Sequence, residues 1–105
     1  MNIFETLAKE LNITLTQVEK TVELIDEGNT IPFIARYRKE VTGSLDDSVL
    51  RDLSDRLTFL RNIEKRKQEV FDLISAQEKM TPEIEAAIQA AVTITEVDDI
   101  YRPYR

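Results

Sequence analysis

Three pairs of carboxylates stand close enough in the sequence to share chemistry: Asp46/Asp47, Asp52/Asp55 and Asp98/Asp99. Two acids on one face can pass protons or hold magnesium. Each pair, however, falls at an expected helix start or on a polar helix face, where capping and surface charge account for it. The chain has no histidine and no cysteine. That removes the imidazole base, the thiolate nucleophile, the disulfide and the zinc finger together. A nucleophile and its base would have to come from Ser, Thr, Lys and carboxylates alone. The sequence therefore reads as a non-enzyme, with no catalytic, cofactor-binding or metal-ligating residue and no cofactor.

The cations are more suggestive. Arg61, Lys65, Arg66 and Lys67 lie within two turns of one expected helix and could meet phosphates. Glu64 and Glu69 are interleaved and leave the run a balance of only +2, so a solvated helix face with intrahelical ion pairs is the favoured reading. A second set, Arg36, Arg38 and Lys39, ends a helix that follows a Gly28-Asn29-Thr30 turn. Residues 16–40 thus have the outline of a helix-turn-helix, in which a second helix can enter a major groove. Base readout normally uses the start of that helix. Here the start is Ile31-Pro32-Phe33-Ile34, apolar and expected in a core. The unit reads as packing more than as a DNA reader. All seven cations remain candidates for contact with nucleic acid or a protein partner.

These residues need elements to hold them, and the pattern gives about six helices in an all-α fold. Asn2 and Glu5 start the first, with Ile3, Phe4, Leu7, Ala8 and Leu11 on one face. Thr16 followed by Glu19 is the expected start of the second, which Gly28 ends. Thr30 and Pro32 open the third, which offers Phe33, Ile34 and Tyr37 as its apolar side. Asp46 caps a long fourth helix over about 47–77, striped by Leu50, Leu53, Leu57, Leu60 and Ile63 and resumed by Val70, Phe71 and Ile74. The polar stretch from Glu64 to Glu69 should be helical and exposed. Thr81-Pro82 opens a fifth helix carrying Ile84 and Ile88, and Thr95 a short sixth ended by Pro103.

The composition agrees with one small helical domain over 1–105. Hydrophobic residues make up 42% and charged residues 32%, with two glycines and three prolines, a globular balance poor in turn formers. No apolar run approaches the roughly 18 residues of a membrane span, and the N-terminus has no signal-peptide pattern. A cytoplasmic location is expected. The net charge of −6 is unlike that of a free nucleic-acid binder. It is uneven: residues 1–30 carry −4 and 76–100 carry −5, whereas 31–75 carry +1.

The run from Gly28 through Arg36-Tyr37-Arg38-Lys39-Glu40 to Thr42-Gly43 and Leu45-Asp46 resembles the signature of the Tex family. These are bacterial transcription accessory proteins, also described as S1 RNA-binding proteins. The Met80-Thr81-Pro82-Glu83 stretch and Thr95-Glu96 to Tyr104 resemble the same family, so the likeness covers nearly the whole chain. It implies a much longer parent, with an RNase-H-like module, helix-hairpin-helix elements and a C-terminal S1 domain to which nucleic-acid binding is mainly attributed. It also implies a eukaryotic relative that acts in transcription elongation and handles histones. None of those modules lies in these 105 residues. The chain's abrupt end after Tyr104 is what a piece of a longer protein would show.

Two functions follow as expectations. The first is a helical scaffold that docks on other domains of its parent and on transcription machinery. The second is a nucleic-acid-binding module that touches RNA or DNA phosphates through its central cations. The long helix is too extended for one short fifth helix to cover, so self-association of the fragment is also expected.

Overall fold

The computed structural model describes residues 1–105 as seven α-helices and a closing 3-10 turn, with no strand. The helices are α1 (Ile3–Leu11), α2 (Leu15–Asp26), α3 (Ile31–Tyr37), α4 (Lys39–Thr42), α5 (Asp47–Ala76), α6 (Pro82–Ala90) and α7 (Ile94–Tyr101), and the turn is Arg102–Tyr104. The fold is all-α, as expected, and the long helix runs unbroken for 30 residues, about 45 Å at the usual rise per residue. No helix is long and apolar enough to cross a membrane. Residues 2–58 form one compact unit, and residues 59–105 with Met1 form another. The long helix contributes its first part to the former and its second part to the latter.

Local chemistry explains most boundaries. Asn2, Thr30, Asp46 and Thr81 each accept a hydrogen bond from the backbone N–H three residues on, and Asn12 closes α1 in the left-handed region. Two starts differ from the sequence expectation. Thr14, not Thr16, caps α2. Its hydroxyl accepts from the Gln17 N–H, and the Gln17 side-chain oxygen accepts from the Thr14 N–H. Glutamine closes such a box as well as glutamate does, so the earlier start gains both bonds. Thr93, not Thr95, caps α7, because its hydroxyl takes the Glu96 N–H while the Glu96 carboxylate takes the Val92 N–H. The expected third helix is also shorter. Arg38 leaves helical geometry at φ −128°, ψ 32°, and one further turn, α4, follows it.

In the N-terminal unit Leu24, Ile34, Leu45 and Leu50 form a buried cluster, edged by Ile13, Ile31, Val41 and Val49. In the C-terminal unit Val70, Ile74, Ile88, Ala91 and Val97 form another, edged by Phe71, Ile84, Ile100, Tyr101 and Tyr104. The expectation that the helix after Thr81 must cover Val70, Phe71 and Ile74 almost alone is thus corrected. Starting α7 at Ile94 puts Val97, Ile100 and Tyr101 on the same core. The Gln77 amide then donates to the Tyr104 carbonyl at 2.7 Å and ties the final turn to the end of α5.

The α4–α5 junction is held by Gly43 (φ 72°) and Ser44 (φ 64°). Thr42 is buried, its hydroxyl accepts from the Leu45 N–H, and its carbonyl accepts from the Gln17 amide. A methyl group on Gly43 would lie 2.8 Å from Gln17 Nε2, whereas one on Gly28 would meet open space. Gly43→Ala should therefore cost about 1–2 kcal/mol, combining left-handed strain with loss of that amide contact. Gly28→Ala should cost about 1 kcal/mol, from strain alone. Equal losses in urea melts of the two variants would show that the Gln17 contact carries nothing.

Candidate functional site

The strongest surface feature is built on α3. Thr30 caps this helix and Pro32 fixes its first turn, which commits Ile31 and Ile34 to the core. Phe33 and Tyr37 are one turn apart and meet on the same side of the helix, with ring centroids 5.3 Å apart and planes tilted by 48°. Tyr37 was expected on the apolar, core side, yet it is 51% exposed. Seven helical residues make two turns, and the break at Arg38 leaves its ring at the rim.

Two guanidinium groups lie on these rings. Arg36 stands 5.2 Å from the Tyr37 centroid and Arg38 stands 4.9 Å from the Phe33 centroid. Arg38 also donates to the Tyr37 carbonyl at 2.9 Å, which serves an end-of-helix acceptor. Lys39 follows, exposed, at the start of α4. None of Arg36, Arg38 and Lys39 makes an ion pair. Three unpaired cations and a half-exposed aromatic ring thus share one end of one helix, in a chain of net charge −6.

The second candidate set behaves differently. Lys67 was expected to be exposed with the rest of its polar run, but it is buried. Its ammonium donates to the Gln89 carbonyl at 2.8 Å, in the last turn of α6, and lies 3.6 Å from the Glu64 carboxylate. Residue 67 continues the stripe of Ile63, Val70 and Ile74, which no reading by residue type reveals. Its aliphatic stem fills a core position while its head satisfies a helix C-terminus. Arg66 is half-buried. It donates to Asp98 at 2.7 Å and to Glu69 at 3.1 Å, and lies 5.7 Å from the Tyr101 ring. The Asp98 hydrogen bond, then that of Glu69, holds its pKa above the ordinary arginine value. These two cations join α6 and α7 to α5. Arg61 is also engaged within the chain, and Lys65 alone of the four stays exposed without an ion pair.

The carboxylate pairs are separated by their partners. Asp46 caps α5, Asp47 pairs with Arg51, Asp98 with Arg66, and Asp99 with Arg102 at 2.7 Å. Asp52 and Asp55 line a shallow cleft of about 420 Å³ with Glu10, Leu11 and Arg56. There Arg56 grips Glu10 through two bonds of 3.0 and 2.8 Å, which raise its pKa and hold α1 against α5. No three acidic side chains stand close enough together to hold a metal ion.

Sequence comparison supplies the context for this geometry. Residues 1–75 match the Tex-like protein N-terminal domain. The chain is 50% identical over 99 residues to Protein YhgF of Escherichia coli (strain K12), covering 94% of this chain and 13% of that protein. It is 48% identical over 105 residues to the Transcriptional accessory protein Tex of Neisseria gonorrhoeae, covering all of this chain and 14% of that protein. It is 32% identical over 104 residues to the S1 RNA-binding domain-containing protein 1 of Pongo abelii, covering 99% of this chain and 10% of that protein. The chain thus spans about a seventh or less of the length of these relatives. This chain therefore belongs to the family of Tex-like proteins, and its residues 1–75 correspond to their N-terminal domain.

Proposed function

We propose that this chain is the helical docking segment of a transcription accessory protein, acting in the cytoplasm and without catalysis. Parts of the parent outside these residues would hold RNA or DNA; one relative, the S1 RNA-binding domain-containing protein 1 of Pongo abelii, is named for RNA binding. The observation that carries this reading is the division among the cations. Those of α5 largely serve the fold, while Arg36 and Lys39, both exposed, and the half-buried Arg38 have no carboxylate of their own. Other domains of the parent and transcription machinery are the partners this implies.

A second reading makes the same trio a phosphate contact, with α2 and α3 as a helix-turn-helix. In its favour are the three unpaired cations beside Tyr37. Against it, Ile31 and Ile34 at the start of α3 pack into the core, and the chain carries −6 overall.

Titration with single-stranded RNA and with duplex DNA at two salt concentrations separates the readings. The docking reading expects dissociation constants weaker than about 10⁻⁴ M at physiological salt, the weak end of non-specific binding. Submicromolar affinity that falls steeply with salt would establish the phosphate reading instead.

A further inference from the structure

The cations of α3 have a geometry suited to a bidentate anion. An arginine laid on an aromatic ring is held by the ring, while its in-plane N–H groups stay free for a bidentate acceptor. A carboxylate matches that fork with two parallel hydrogen bonds. Arg36 is held this way on Tyr37, and Arg38 is held on Phe33 with one N–H already given to the Tyr37 carbonyl. At Arg51, Arg56, Arg66 and Arg102 the chain pairs a guanidinium with one of its own carboxylates. Here it supplies none.

The rings argue against a stacked nucleobase. Base stacking needs an open aromatic face, and Tyr37 already carries the Arg36 guanidinium with Phe33 tilted against it.

We propose that the end of α3 is a docking site for an acidic peptide segment of a protein partner, which places two carboxylates on Arg36 and Arg38 and packs an apolar side chain beside Tyr37, with Lys39 adding attraction. This rests on the docking reading and names the chemistry of its partner.

The test is fluorescence anisotropy at low salt with a labelled dodecapeptide, three repeats of Glu-Asp-Phe-Glu, and in parallel with a labelled uridine dodecamer. The peptide should bind with a dissociation constant of about 10–100 µM, in the range of weak, transient recognition. Arg36→Glu/Arg38→Glu should weaken it at least tenfold, and Arg36→Lys/Arg38→Lys about threefold or more, because an ammonium keeps the charge but lacks the fork. Arg51→Glu, on α5, should change affinity less than twofold. Circular dichroism melts within a degree or two of the parent would confirm that the variants are folded. No peptide binding, or binding indifferent to Arg36 and Arg38, overturns the proposal and leaves the docking reading standing. Tighter binding of the uridine dodecamer through the same arginines overturns both.

Discussion

Ile34→Asp should unfold the N-terminal unit at room temperature or bring it close to unfolding. Ile34 has no solvent exposure and belongs to the cluster with Leu24, Leu45 and Leu50. No cation is hydrogen-bonded within that cluster to receive a carboxylate. Burying an unpaired carboxylate costs several kcal/mol, of the same order as the roughly 5–15 kcal/mol that holds a small domain together. Ile34→Ala removes apolar contacts without adding charge and should cost about 2–4 kcal/mol. Tyr37→Ala, one turn away, should cost about 1 kcal/mol or less, because its ring is half in solvent. Far-UV circular dichroism melts of the three variants check the order. An Ile34→Asp melt equal to the parent's would mean that α3 does not pack as described.

Lys67→Ala should be the most damaging loss of a positive charge in the chain. It strips the Gln89 carbonyl of its buried donor, removes the nearest cation from Glu64, and leaves a void beneath the aliphatic stem. Removing one member of a buried polar pair typically costs about 2–4 kcal/mol. Lys65→Ala, two residues away and fully polar in its surroundings, should fall within about 0.5 kcal/mol of the parent. The Glu64 carboxylate already has one oxygen shut from water without a hydrogen-bond partner, so Glu64→Gln/Lys67→Met should recover much of the loss by removing both charges while keeping the stem. Urea unfolding of the four proteins measures this. Equal costs at positions 65 and 67 would show that Lys67 is not part of the core.

How much was legible in the sequence follows from what each residue type can say. Helix caps speak through short-range rules, so Asn2, Thr30, Asp46 and Thr81 could be placed in advance. The starts at Thr14 and Thr93 lie two residues before the expected ones, because each region offers two threonines: Thr14 and Thr16 stand three before Gln17 and Glu19, and Thr93 and Thr95 stand three before Glu96 and Asp98. The choice between them is made by tertiary contacts such as the Gln17 amide on Thr42 and the packing of Val97. Lys67 was read by its charge, although its position on the helix places it with the core. Helical periodicity holds that signal: residue 67 is four after Ile63 and three before Val70.

The site was partly legible. Arg36, Arg38 and Lys39 stood out as a cluster, and the structure leaves them unpaired together. Their rings were assigned wholly to the core, since nothing in composition shows that α3 stops after seven residues. The pattern that would have revealed the platform is the pair of aromatics four apart, each with an arginine at hand. Arg61, Lys65, Arg66 and Lys67 looked like an equivalent set, and only long-range partners on α6 and α7 distinguish them.

The central claim is that this domain docks rather than holds nucleic acid. Side-by-side titration of one single-stranded RNA into this chain and into a full-length bacterial relative, in the same physiological buffer, tests it most directly. The account predicts that this chain binds at least about a hundredfold more weakly, a gap of roughly 2.7 kcal/mol. Equal affinity of the two, lost on reversing the charges of Arg36, Arg38 and Lys39, would contradict it.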